Sequence, residues 1–115
     1  MNLIIRLFIT AAVAYGLSII LKGVHIPNFT DALILAVVLA LLNTFIKPIL
    51  VILTLPITII TMGLFLFVIN ALIILLADRL MDGIRIDGFW WAVIFSLILS
   101  VASSVVYSLV EKKSY

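Results

Sequence analysis

The chain has 115 residues, of which 67% are apolar and only 10% charged, and its mean hydropathy is +1.51. Water-soluble domains carry about 45–50% apolar and about 25% charged residues, and a fold of this length lacks the interior to hide such an excess of hydrocarbon, so lipid is the solvent for most of it. A net charge of +2 does not point to nucleic acid, and the absence of cysteine excludes disulfides, thiolate metal sites and thiol nucleophiles.

A helix needs about 20 apolar residues to cross a hydrocarbon core about 30 Å thick. The stretch Leu3 to Leu21 meets this, interrupted only by Arg6. Arg6, the short apolar run behind it and Ala12-Val-Ala14 imitate a secretory signal. The stretch before Gly23 corresponds, however, to the one before Gly83, which is no signal, so the span is expected to be kept.

Residues 22–31 form a connector in which Val24-His-Ile26 alternates apolar and polar side chains, the period of a half-buried strand. A second span is predicted over 32–50. Asn43 lies one turn before Lys47 in it, so both point the same way. Near a membrane surface Lys47 can snorkel, its stem in hydrocarbon and its ammonium at the headgroups. The alternative is a fixed positive charge that attracts an anionic headgroup or solute.

Residues 51–62 are apolar, uncharged and too short to cross. They are predicted to lie at the interface or to dip in and return; alternatively the second helix continues through Pro48 with a kink and turns near Pro56. Both prolines remove a backbone donor and read as helix breakers. Thr54, Thr58 and Thr61 recur on one helical face, either as helix-packing hydroxyls or as the lining of a cavity or pore.

From Ile49 to Ala77 no charge occurs in 29 residues, and a third span is predicted over 60–78 with Asn70 in its middle. A second connector, 79–88, repeats the alternation in Ile84-Arg-Ile86, and a fourth span follows over 89–110. Trp90 and Trp91 suit the membrane–water interface.

Offsetting the chain by sixty residues aligns 23–40 with 83–100, with six of eighteen positions identical. The shared pattern begins Gly23, Ile26, Phe29 and Gly83, Ile86, Phe89. The expected fold is therefore an all-α membrane protein, one transmembrane domain over 1–115. It comprises a first helical hairpin (3–50), an apolar connector (51–62) and a second hairpin (63–110), with a small two-stranded ribbon made by the outer loops and Phe29 and Phe89 plugged beneath it. Two hairpins of equal orientation imply a pseudo-twofold axis along the membrane normal. Arg6, Lys47, Lys112 and Lys113 against Lys22, Arg79 and Arg85 favour both termini in the cytoplasm.

In this register Thr10 matches Asn70 and Asn43 matches Ser103, a quasi-symmetric polar layer suited to interhelical hydrogen bonds. Ionisable and amide groups at depth are candidate functional positions. His25 has no second ligand at metal spacing, and nothing places a general base beside a nucleophile, so neither a metal, a cofactor nor an enzyme is expected. A small-residue face of Ala11, Ala12, Ala14 and Gly16 permits close approach of copies, so a homo-oligomer is expected, with lipid, including anionic lipid, as the other partner.

The segments Leu42-Asn-Thr-Phe-Ile-Lys-Pro-Ile-Leu50, Leu53-Thr-Leu-Pro56, Thr61-Met-Gly-Leu-Phe65 and Ile69-Asn-Ala71, with Gly88-Phe-Trp-Trp-Ala92, resemble the bacterial membrane proteins grouped as phage holin family 4, the YvlD-like proteins. The resemblance covers nearly the whole chain. Members often carry Arg where Lys47 stands and a Leu where Met62 stands. The resemblance implies a small integral membrane protein like the phage holins, which oligomerise and permeabilise the inner membrane. Three functions follow as expectations: an assembly that permeabilises, with Asn43, Thr54, Thr58, Thr61, Asn70 and Ser103 on its wetted face; a non-enzymatic envelope component binding lipid or a protein through Lys47 and the outer loops; and a small lipid or anion transporter.

Overall fold

A computed structural model describes residues 2–112, Lys112 by its backbone alone; the expected charges of the Lys112 and Lys113 side chains lie outside what is described. The chain is helical apart from one ribbon. In order it forms α1 (Leu3–Ile20), β1 (Val24–His25), α2 (Phe29–Leu41), a π-helical turn (Leu42–Ile46), α3 (Lys47–Leu53), α4 (Leu55–Ile60), α5 (Phe65–Leu80), β2 (Arg85–Ile86) and α6 (Phe89–Lys112).

Side-chain caps start the first two helices. The Asn2 side chain accepts the Ile4 amide at 2.8 Å, and the Asn28 side chain accepts the Asp31 amide at 2.9 Å, each satisfying a donor that the first turn leaves free. Three helices are long and apolar enough to cross a membrane, Leu3–Ile20, Phe29–Leu53 and Phe89–Glu111, and the chain is an integral membrane protein. At 16 residues α5 is shorter.

Pro48, a candidate helix breaker, does not break the second helix, which follows the alternative reading of a run that continues through Pro48. The helical run continues from Phe29 to Leu53 because the ladder widens ahead of the proline, with the Lys47 amide donating back to the Leu42 carbonyl. A π-turn absorbs the ring that would otherwise press on the preceding turn. The break comes at Thr54, whose backbone leaves helical values, and Pro56 then sits in the first turn of α4, where its missing N–H costs nothing. The third helix also starts later than residue 60. Met62 and Gly63 adopt left-handed backbone, φ 54° and 90°, and this turn delays α5 to Phe65.

β1 and β2 pair antiparallel, Val24 with Ile86 and His25 with Arg85, and the Asp87 amide donates to the Gly23 carbonyl at 2.8 Å. The ribbon expected from the alternating pattern is thus present, with Val24, Ile26, Ile84 and Ile86 buried beneath it. Phe29 and Phe89 are not its plugs. They open α2 and α6 and remain 39% and 37% exposed, Phe29 leaning on Phe8 and Tyr15 of α1 and Phe89 on Trp90. As first residues of helices they point sideways off the bundle, whereas the ribbon's own inward residues fill the space below.

α1 packs against α2 and α6, and α5 packs against α6 and α2. The contacts run through small residues: Ala11, Ala14, Ala32, Ala36, Ala71, Ala77 and Ala92 are all buried. In lipid, helices gain by close van der Waals approach rather than by escape from water, so alanine at the seam is favourable. Ala11 and Ala14, expected to face another copy, are instead consumed inside this bundle. Phe95 and Leu35, sixty residues apart, are completely buried.

Candidate functional site: a polar cleft between α1, α2 and α6

Three helices converge on one polar cleft of about 410 Å³. α1 contributes Arg6 and Thr10, α2 and its π-turn contribute Asn43 and Thr44, and α6 contributes Ser100, Ser103, Ser104 and Tyr107. Arg6 precedes the ribbon end of α1 by 14 residues, and Asn43 and Ser103 follow the ribbon ends of α2 and α6 by 14. At about 1.5 Å per residue all three lie about 21 Å from that end, at one depth.

The floor is held together by hydrogen bonds. Thr10 Oγ1 is bonded to the Tyr107 hydroxyl, which in turn donates to the Arg6 carbonyl at 3.4 Å. The Arg6 guanidinium lies over the Tyr107 ring, 4.9 Å from its centroid, a cation–π contact that fixes the charge at the mouth. Ser103 is 5% exposed, and among the described residues its Oγ has no hydrogen-bond partner. Asn43, Thr44, Ser100 and Ser104 form an exposed rim. Leu3 and Leu7 complete the wall beside Arg6.

The cleft brings together Thr10, Asn43 and Ser103 of the expected polar layer. Asn70 is half-buried on α5 and does not line it. Lys47 is half-buried one turn below Asn43 and lies outside the lining as well. The three threonines are used locally. The hydroxyls of Thr54, Thr58 and Thr61 donate to the carbonyls of Leu50, Thr54 and Ile57 at 2.6, 3.0 and 2.9 Å, and Thr61 Oγ1 also accepts the Phe65 amide. Those protons stabilise the bent segment around α4.

Sequence reasoning passed over Arg6, Tyr107, Thr44, Ser100 and Ser104 as site residues. Ser96, Ser100, Ser103, Ser104 and Tyr107 recur at three- and four-residue steps, a polar stripe on an otherwise apolar helix, and that signal was readable.

At the ribbon end, His25 Nε2 lies 2.9 Å from Asp87 Oδ2, and Arg85 Nε donates to Asp87 Oδ1 at 3.2 Å. The hydrogen bond from His25, aided by the charges of His25 and Arg85, holds the Asp87 carboxyl below its ordinary value of 3.8 against a smaller opposing effect of desolvation. A depressed carboxylate adds stability above its unfolded pKa and loses it as pH falls through the folded value. Acidification below about pH 4 is therefore expected to lower the midpoint of thermal unfolding by more in the unmodified protein than in Asp87→Asn. Parallel pH profiles of the two proteins check this.

The family model described as the mycobacterial four-span phage holin, superfamily IV, matches residues 1–105. An uncharacterized membrane protein of Bacillus subtilis, YvlD, is 46% identical over 82 residues, covering 70% of this chain and 69% of that one. An uncharacterized protein of Streptomyces coelicolor is 45% identical over 75 residues, covering 62% of this chain and 60% of its own length. No solved structure matches the chain.

Proposed function

The chain belongs to the four-span phage holin family of superfamily IV, and from that premise we propose a four-span, non-enzymatic inner-membrane protein that acts on the bilayer as an assembly of copies. The ribbon supports four spans. β1 and β2 are paired and must lie on one side, yet Phe29–Leu53 crosses between them, so a return crossing is needed and α5 is the helix available for it. Its 16 residues reach about 24 Å, and the shortfall is met by local thinning of the bilayer and the turn that precedes it.

The two-hairpin reading, 3–50 and 63–110 joined through 51–62, is supported by the ribbon register. His25 pairs with its own mate sixty positions away, Arg85, so this pair maps onto itself under the exchange. The same exchange turns the Gly23–Trp91 contact into the Gly83–Asp31 contact. The axis then runs along the membrane normal through the ribbon, with both termini and the apolar connector on the cytoplasmic side.

The observation that carries the function is the exposed rim. Asn43, Thr44, Ser100 and Ser104 stand at hydrocarbon depth on one side of a bundle whose other faces are apolar. Polar groups there need protein, lipid headgroups or water against them. A single bundle offers no path through itself, because Leu35, Phe95 and Val24 close its ribbon half. Copies meeting through the rim provide the wetted surface that holin-type permeabilisation requires.

The test is release of size-graded dyes from sealed vesicles. Release of a small dye is expected to rise steeply with protein density and to fall in Ser100→Leu/Ser104→Leu. It is expected to be unchanged in Thr54→Val/Thr58→Val/Thr61→Val. Vesicles that stay tight at every density would overturn permeabilisation and leave an envelope component that binds lipid or protein.

A further inference from the structure

We infer that the α1–α2–α6 cleft is a binding site for a singly charged phosphate diester, the group carried by an anionic phospholipid of the leaflet on the side of the termini. This goes beyond assembly through the rim and does not depend on permeabilisation; only the choice of leaflet rests on the orientation proposed above.

The donors are already arranged. Thr10 and Tyr107 are bonded to each other and to backbone, and the Thr44 hydroxyl donates to the Ala40 carbonyl at 2.7 Å. Of the remaining polar lining, Ser100 and Ser104 stand on the exposed rim, and the Arg6 guanidinium, the Ser103 hydroxyl and the Asn43 amide converge from three helices. Ser103 is the telling group. A serine inside a helix ordinarily returns its proton to a carbonyl one turn back, and Ser96 bonds in this way to the Val93 carbonyl at 2.9 Å. The Ser103 hydroxyl is buried against the cleft without a partner, and a buried donor left unmatched costs about 1–3 kcal/mol.

The charge selects the ligand. No carboxylate lines the cleft, and among the described residues the side-chain ion pairs given distances above involve only His25, Arg85 and Asp87. One guanidinium with a planar fork of donors matches one phosphate. A diester carries one negative charge, where a phosphate monoester carries about 1.5 to 2 at neutral pH. The cavity of about 410 Å³ falls within the range of about 300–1,000 Å³ usual for small-ligand sites. Leu3 and Leu7 border Arg6, so acyl chains leaving the site run directly onto apolar surface. Lys47, for which attraction of an anionic headgroup is the alternative to snorkelling, lies outside the lining.

Native mass spectrometry of the intact protein in neutral detergent, titrated with phosphatidylglycerol, phosphatidylcholine or inorganic phosphate, tests the site. One phosphatidylglycerol per chain is expected, held about tenfold more tightly than phosphatidylcholine. Arg6→Gln is expected to abolish that preference, Arg6→Lys to retain part of it because charge remains without the fork, and Ser103→Ala to weaken binding about threefold to tenfold. Lys47→Gln is expected to leave it unchanged. Displacement of the lipid by millimolar inorganic phosphate would overturn the diester assignment and give the same residues to a free anion. Equal phosphatidylglycerol retention by Arg6→Gln, Ser103→Ala and the unmodified protein, all with unaltered unfolding midpoints, would overturn the site. Because dye release is not the readout, failure here and failure of permeabilisation are separate results.

Discussion

Gly23→Ala is expected to destabilise the bundle by about 2–3 kcal/mol, and Gly83→Ala by less than about 1 kcal/mol, although the two glycines stand at matching positions at an offset of sixty residues. A methyl group at Gly23 would overlap the Trp91 indole, a rigid ring at the start of α6. Relief requires moving α6 or the ribbon strand attached to Gly23, whose carbonyl accepts the Asp87 amide. At Gly83 the same methyl group meets only the carboxylate of Asp31, the end of a short side chain that can rotate aside. Unfolding in mixed micelles, followed by tryptophan fluorescence, measures both. Adding Asp31→Ala to Gly83→Ala should restore most of the smaller loss and serve as an internal control. Equal losses at the two glycines would mean that α6 does not press on the ribbon as described.

The other large effect is expected at Phe95. It is completely buried, and Leu35, sixty residues earlier, is completely buried with it. In a water-soluble core Phe→Ala costs about 3–5 kcal/mol, of which part is transfer of apolar surface from water and part is the cavity. In lipid the transfer part shrinks, since acyl chains solvate a phenyl ring as well as leucine does. Phe95→Ala is therefore expected to cost about 2–3 kcal/mol and Phe95→Leu less than about 1.5 kcal/mol. The same micelle unfolding assay separates them. A cost near zero for the alanine variant would place Phe95 against lipid rather than inside the bundle.

Much of the architecture was legible because it depends on local pattern. The alternation in Val24-His-Ile26 and Ile84-Arg-Ile86 predicted the ribbon, whereas its register, Val24 with Ile86 and His25 with Arg85, was not legible in the sequence. The uncharged run from Ile49 to Ala77 hid two boundaries: the break at Thr54 and the left-handed turn at Met62 and Gly63. Hydropathy is uniform across both, so only backbone geometry distinguishes them. Phe29 and Phe89 misled for a related reason: a shared aromatic was read as a plug, whereas its place as first residue of a helix turns it outward.

The cleft was harder to read. Arg6 and Tyr107 are separated by 101 residues, and their contact exists only because α6 packs back on α1. Lys47 drew attention as the cation deepest in a clean span, but Arg6 is the one with an aromatic ring beneath it and donors beside it. The serine stripe of α6 was visible in the sequence, and its partner helix was not.

The most direct test of the architecture is the side of the membrane on which α5 begins and ends. The chain lacks cysteine, so single cysteines report without background. Lys22→Cys and Asp82→Cys flank the ribbon, Met62→Cys precedes α5, and Asn2→Cys marks the amino end. With a membrane-impermeant maleimide on intact cells, Lys22→Cys and Asp82→Cys should be labelled, and Asn2→Cys and Met62→Cys only after permeabilisation. Labelling of Met62→Cys together with Asp82→Cys on intact cells would contradict the account, because α5 would then fail to cross and four spans would be reduced to three.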